Sequence, residues 1–468
     1  MRWLFLAILL LSLPLLVSYA GRGEQQRDRL LIALGALLFA SGSIALDAAL
    51  ITWPVWPGTS RGIILSFVDV IALALLITRR GRAKTPPFLF LCGLLFIPMF
   101  VASFIATIPL ASVFSLLQFV QIVFLFIVLS HELSRVSAIR SILKGIAIGL
   151  IVQAGYVVQQ KLTGVVQASG TMAHQNLLGL VVQLSALPLI AAIMEGERSK
   201  IVYLGALAGA ICAAGGGSRA TMAFFALGVV LLIILSIARR STPRKWQMFG
   251  IGLLAAAAIV PLAMGTLKAR FGDNEIGTED ESRAAFERAA IAMAADHPLG
   301  VGPNNFVTIN NTKGYARQGG IEWGGGLLDK PVHNAYLLAR SEFGWVGEIA
   351  LILLLGGVAT RAFITGFSSR NADIVGLSLG SATAITMIAI HSNWEFAWFN
   401  LEAQRLFFVN AALVAGCVTI AARDSQERRR RLQNSKEHMG IAAAGPVRTD
   451  ALHPSPPDYR DRTAASGS

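Results

Sequence analysis

Four short constellations carry the residue types best suited to chemistry in this chain. The first is His333-Asn334, followed after nine residues by Gly344-Trp-Val-Gly347. A histidine where a polar loop enters an apolar run titrates near neutral pH and accepts a proton from a hydroxyl. Asn334 and Tyr336 beside it are candidates to bind a polar ligand. Gly344 and Gly347, if helical, allow a neighbouring backbone to approach closely. The bland alternative is an interfacial histidine satisfied by a backbone partner. The second constellation is Arg283, fifteen positions before Pro298. Its planar fork suits a phosphate; equally, it sits on a solvated helix face with Glu279 and Glu287 one turn to either side. The third is Gly215-Gly216-Gly217-Ser218-Arg219, three glycines that interrupt an apolar pair of spans and deliver an arginine at their edge. An arginine there is a functional candidate or a side chain snorkelling from a helix end. The fourth is Gly170 to Asn176, in which His174 and Asn176 contact polar ligand groups or cap a helix starting at Leu177.

The elements that must position these residues follow from composition. The chain has 468 residues, 54% of them hydrophobic and 14% charged, with a mean hydropathy of +0.61. A soluble domain is about a quarter charged, so a string of soluble domains is excluded, as are extensive disorder and a disulfide scaffold. The fold class is all-α, a polytopic integral membrane protein. Candidate spans lie near 3–20, 30–51, 62–78, 88–108, 110–130, 141–160, 177–194, 201–217, 220–238, 247–267, 335–360, 374–392 and 405–422. Cys92, Cys212 and Cys417 lie far apart in apolar runs, without the spacing of a zinc site. No P-loop, GxSxG or HExxH motif is present.

Charge sets the topology. Lys and Arg cluster at 21–29, 79–84, 131–144, 195–200, 239–245 and 361–370, whereas the intervening loops carry single cations, among them Arg61, Lys161, Arg219 and Arg405. The positive-inside rule makes the first set cytoplasmic. The net charge of +13 is thus topological and needs no nucleic acid. Residues 1–20 resemble a signal peptide but read better as a retained helix, which places the amino terminus outside if it spans fully. Residues 1–422 form the membrane domain. Residues 423–468, opening with Arg428 to Arg431, are expected to be a basic, disordered cytoplasmic tail.

One long loop, about 268–334, faces outside with seven Lys/Arg and nine Asp/Glu. Loops of that length are usually functional. Glu279 to Ala295 reads as an amphipathic helix with Ala285, Ala289, Ala292 and Met293 on one face, ended by Asp296-His297-Pro298. Gly300 to Asn305 is turn-rich, and the glycine-rich remainder to Asp329 is expected to be a flexible lid.

The order of these elements resembles the O-antigen ligase and O-antigen (Wzy-type) polymerase superfamily. His333-Asn334-x9-Gly344-xx-Gly347 looks like that family's His-[Asn/Ser/Gln]-x9-Gly motif. Arg283 with Asp296 to Gly302, Gly170 to Asn176, and Ser218-Arg219 resemble three further family segments. The resemblance covers about Gly170 to Gly347 and implies about twelve spans, against thirteen counted here, in a GT-C-like fold with a periplasmic catalytic loop. It further implies a metal-independent, inverting glycosyl transfer without a cofactor in the bacterial inner membrane. The donor would be a glycan on undecaprenyl diphosphate; the acceptor would be a sugar hydroxyl of lipid A–core or of a growing glycan. By that analogy Arg219 and Arg283 hold the diphosphate and His333 activates the acceptor. A transporter or flippase, motivated by polar residues such as Asp69 and Glu348 within spans, is the reading from a different class.

Overall fold

The computed structural model describes residues 2–79, 81, 85–252, 254, 275–321 and 329–443, and nearly all of them are helical. The helices are α1 (Arg2–Gly21), α2 (Glu24–Leu37), α3 (Phe67–Ile77), α4 (Leu89–Phe104), α5 (Pro109–Glu132), α6 (Val136–Leu162), α7 (Gln175–Glu195), α8 (Lys200–Gly215) and α9 (Arg219–Arg239). They continue as α10 (Glu275–Asp296), the short α11 (Phe306–Thr312) and α12 (Tyr315–Gly319), then α13 (Ala335–Ser368), α14 (Ala372–His391) and α15 (Leu401–Ala443). Among the described residues, eight helices are long and apolar enough to cross a membrane, and α3, α4 and α8 are shorter apolar helices. Contacts divide the chain into Met1–Ala421 and Ala422–Ser468. The first unit holds every candidate residue.

The span expected over 30–51 is not one helix. α2 stops at Leu37, and the chain forms an antiparallel hairpin, β1 (Asp47–Thr52) against β2 (Gly62–Ser66), pairing Asp47 with Ser66 and Thr52 with Gly62. Ile51, Thr52, Ile63 and Ile64 favour a strand, and Pro54, Pro57 and Gly58 turn the chain between them. A short apolar run has no periodicity to separate strand from helix. The span expected over 62–78 accordingly begins as β2 and turns helical only at Phe67, where Ser66 donates from its N–H and its Oγ to Asp69 Oδ2. The candidate at 247–267 starts helical and then lies largely outside the described residues. Of the tail, 423–443 is helical rather than disordered, and the rest lies outside the described residues.

α7 and α14 form the centre, with 89% and 83% of their most apolar windows buried, while α1 is peripheral at 17%. The basic loops meet at one end of the bundle. There Arg27 bonds Glu132 and the Thr78 carbonyl, Arg135 pairs with Asp28, Arg140 with Asp373, and buried Lys245 with Glu195. Arg239 donates to the carbonyls of Gly366 and Ser369. The hairpin and residues 298–305 lie at the other end, joined by the Trp56 indole N–H on the Asn304 carbonyl. The alternation of loop charge in the sequence therefore reports which loops share an end.

Candidate functional site

Three helix starts converge at the end that carries the hairpin. α7 is capped by His174, whose Nδ1 accepts from Leu177 N at 3.2 Å. α9 is capped by Ser218, whose Oγ accepts from Thr221 N. α13 is capped by Asn334, whose Oδ1 accepts from Tyr336 N and Leu337 N at 3.0 and 3.1 Å. Each start presents the positive end of a helix dipole, which favours an anion. They are held together closely: a Cβ on Gly179 would lie 1.9 Å from Thr221 Oγ1, so the second turn of α7 meets the first turn of α9. Ala335 N donates to the Ser392 carbonyl, and Tyr336 OH donates to the Ala389 carbonyl at 2.6 Å. These two bonds fix α13 to the end of α14.

At the centre is a residue that no sequence motif singles out. Glu395, in the turn between α14 and α15, is 1% exposed. Its Oε2 accepts from Asn176 Nδ2 at 2.5 Å, its Oε1 accepts from Phe396 N at 3.0 Å, and His333 Nδ1 lies 3.5 Å from Oε1. Burial alone would raise this carboxyl. The nearby histidines, His333 foremost and then His174 and His391, outweigh it and bring the group down to about 2. The carboxylate is therefore ionised. A neutral His333 keeps its proton on Nδ1 toward Glu395, which leaves the Nε2 lone pair outward. The His333 side chain is 22% exposed, whereas Glu395 beneath it is buried. The Phe396 ring lies between the imidazoles of His333, 5.3 Å away edge-on, and His174, 6.0 Å away. Burial pushes His174 down, against the opposing pull of Glu395. Its Nδ1 is committed to the α7 cap, so its proton sits on Nε2.

The two arginines enter from different helices. Arg219 is the first residue of α9, delivered by a turn in which Gly217 takes φ +66° against the Val166 carbonyl. Arg283, on α10, lies close enough for its charge to act on His391. α10 forms as expected and ends before His297-Pro298, with Ala285, Ala289 and Met293 buried and Ala292 half-buried. The flexible lid expected after the Gly300 to Asn305 turn is not observed. Its described part, residues 306–321, folds as α11 and α12 against α10, with Arg288 donating to the Gly319 carbonyl and Tyr315 OH to Asp296. Residues 322–328 lie outside the described residues.

The glycine-rich segment before α11 is a clasp. Val301 N and Gly302 N donate to the carbonyls of Ser341 and Glu342. The buried Glu342 carboxylate accepts from Asn304 N at 2.7 Å and Phe306 N at 3.0 Å. α13 kinks here, at Gly344 with φ +71°, and a Cβ there would lie 2.3 Å from the Pro298 carbonyl oxygen. The close approach expected of Gly344 is thus to the loop. Gly347 differs: a Cβ there would meet Phe343 of the same helix at 2.3 Å, so the kink, not a neighbouring helix, requires it small. Asn304 binds the Ser60 and Ala111 carbonyls, and Asn305 binds Ser112 and the Ile108 carbonyl.

The structure therefore gathers His333, Asn176 and His174 around Glu395, places Arg219 at the start of α9 and Arg283 within reach of His391, and uses Asn334 and Tyr336 to seat α13. The signal for Glu395 was present in the sequence: one acid between Trp394 and Phe396 in an otherwise uncharged turn, four residues after His391. A base, an anion-favouring set of helix starts and two nearby guanidiniums can together bind a phosphate group and deprotonate a hydroxyl beside it.

Residues 204–352, about a third of the chain, match the family model described as O-antigen ligase. The match includes Arg219, Arg283, His333, Asn334, Gly344 and Gly347; it stops short of His174 and Asn176 on one side and Glu395 on the other. The resemblance to the O-antigen ligase and Wzy-type superfamily holds over that segment. A comparison with curated proteins found no match.

Proposed function

With the O-antigen ligase segment as premise, we propose that this multi-pass membrane protein is an O-antigen ligase-like glycosyltransferase working on the periplasmic face of the inner membrane. It moves a glycan from undecaprenyl diphosphate to a sugar hydroxyl of lipid A–core, with inversion and without a metal. The observation that carries this reading is the His333–Glu395 pair, 3.5 Å apart, at the end where α9 delivers Arg219 and α10 carries Arg283.

The chemistry divides among these residues. His333 Nε2 takes the proton of the acceptor hydroxyl as its oxygen attacks the anomeric carbon. The bond from that carbon to the diphosphate oxygen breaks on the opposite face, so configuration inverts. The negative charge that grows on the leaving diphosphate meets Arg219, Arg283 and the positive helix ends. A diphosphate is already a good leaving group, so no acid is required to protonate it. Glu395 holds the His333 tautomer and stabilises the imidazolium as it forms. Asn176 holds Glu395 from its other oxygen.

The test uses purified protein in vesicles, supplied with lipid-linked glycan and lipid A–core. His333→Ala should lower transfer by about 10²–10⁴-fold, the usual contribution of a general base. Transfer at the normal rate by folded His333→Ala would remove the base assignment. A polymerase shares the donor and the mechanism and differs in the acceptor. Supplying a second lipid-linked repeat unit in place of lipid A–core separates the two: chain growth instead of core modification assigns the polymerase reaction.

A further inference from the structure

A stack of aromatic rings at the same end has no part in that mechanism. It starts in the interior at His391, 1% exposed. The Phe224 ring of α9 lies 4.8 Å from it at 34°. Trp394 is next, 5.7 Å from Phe224 at 33°, and is 49% exposed. Its neighbours in the turn behave differently: Glu395 and Trp398 are buried at 1% and 2%. Trp394 is thus a ring braced from behind with part of its surface open.

Its two attachments suggest a role. Phe224, which braces it, is five residues after Arg219 on the same helix, about 7–8 Å along the axis. Glu395, which holds His333, is the next residue in the chain. The stack therefore joins the helix that begins with Arg219 to the turn that holds Glu395. In a lipid diphosphate donor, the sugar whose anomeric carbon is attacked is bonded directly to the diphosphate, so its ring must lie close to both the diphosphate group and the base. The face of an indole is electron-rich. The C–H bonds of a pyranose face are weakly positive, and contacts of hydrogen donors with π faces are favourable.

We propose that Trp394, backed by Phe224, is the platform for the proximal sugar ring of the lipid diphosphate donor. The proposal rests on the glycosyl-transfer reading above and adds the residue that holds the reacting sugar. The competing role is that of an interfacial tryptophan, which anchors the helix end at the headgroup level and touches no substrate.

Binding separates the two. Full-length protein in lipid nanodiscs is titrated with undecaprenyl diphosphate carrying one hexose and, separately, with undecaprenyl diphosphate alone. Wild-type protein should bind the glycosylated lipid more tightly. Trp394→Ala should weaken the glycosylated lipid about tenfold and leave the bare lipid diphosphate unchanged. Trp394→Phe should keep most of the difference. Trp394→Leu, which keeps apolar bulk without a π face, should lose it, and it provides a reading if the alanine variant misfolds. Trp246→Ala, removing a tryptophan 53% exposed at the other end, should change neither affinity. Equal weakening of both lipids by Trp394→Ala, or no weakening, overturns the proposal in favour of an anchor. A change confined to acceptor affinity overturns it as well. Wild-type protein that binds both lipids equally defeats the platform and leaves the transfer reading standing; wild-type protein that binds neither defeats both.

Discussion

Replacing Glu395 by glutamine removes one negative charge from beneath His333 while keeping the side chain's shape. The amide oxygen still accepts from Asn176, whose Nδ2 lies 2.5 Å from Oε2. The amide NH2 then takes the place of Oε1, so the charge that faces the imidazole is lost together with the acceptor for Phe396 N. Burial opposes ionisation of Glu395, yet its surroundings hold it near 2, against an ordinary value of 4.5. The neighbouring histidines, His333 foremost, favour its charged form. A contact between a carboxylate and the imidazolium that forms as the proton arrives is worth about 1.5 kcal/mol, the lower end for a bond to a charged group. Glu395→Gln should lower kcat by about tenfold. The assay is glycan transfer in vesicles, with Glu395→Asp as the charge-retaining control. Activity lost equally in Gln and Asp would reduce Glu395 to a packing residue. A wild-type rate in Glu395→Gln would refute the pairing altogether.

Other consequences are open to direct measurement. Because Glu395 is depressed in the folded state, its contribution to stability is complete above about pH 4.5 and is lost as pH falls toward 2. Wild-type Tm should fall across that window more steeply than that of Glu395→Gln, as read by thermal unfolding in detergent. Arg283→Lys keeps the charge and loses the two-pronged grip, so kcat/KM for the donor should fall about ten- to a hundredfold in the transfer assay. Gly344→Ala places a Cβ 2.3 Å from the Pro298 carbonyl at φ +71°; it should cost about 2 kcal/mol or more, seen as a lowered Tm. Asn304→Ala removes the side-chain bonds to Ser60 and Ala111, which should make the segment around residues 300–306 cleavable in limited proteolysis.

The sequence carried much of this site because the membrane simplifies it. Against long apolar spans, His333, Arg219 and Arg283 stand out by polarity alone, and the alternation of basic loops places them at a common end. α10 was legible because alternating small apolar and charged residues leave one reading and Pro298 marks its end. The hairpin at 47–66 was not, because six apolar or β-branched residues give the same signal for a strand as for part of a span. Glu395 was hidden for a related reason: a carboxylate matters here through the histidine it faces from 62 positions away in sequence, and no local pattern records that pairing. Residues 306–319 resemble a lid because glycine and polar content mark turns; only the packing of Gly319 on Ala285 and Ala289 shows the turns to be closed down on a helix.

The bend at Gly344 divides α13 unequally. The arm before it, Ala335 to Phe343, is about 13 Å long; the arm after it, from Trp345 to Ser368, is about 36 Å. The short arm is tied to the 301–306 clasp through Ser341 and Glu342 and carries His333 just ahead of its first turn. The long arm turns Val346, Ile349, Ile352 and Leu353 outward. A bilayer thicker or thinner than the long arm should tilt it, and Gly344 is the joint at which such a tilt would part from the short arm that follows His333.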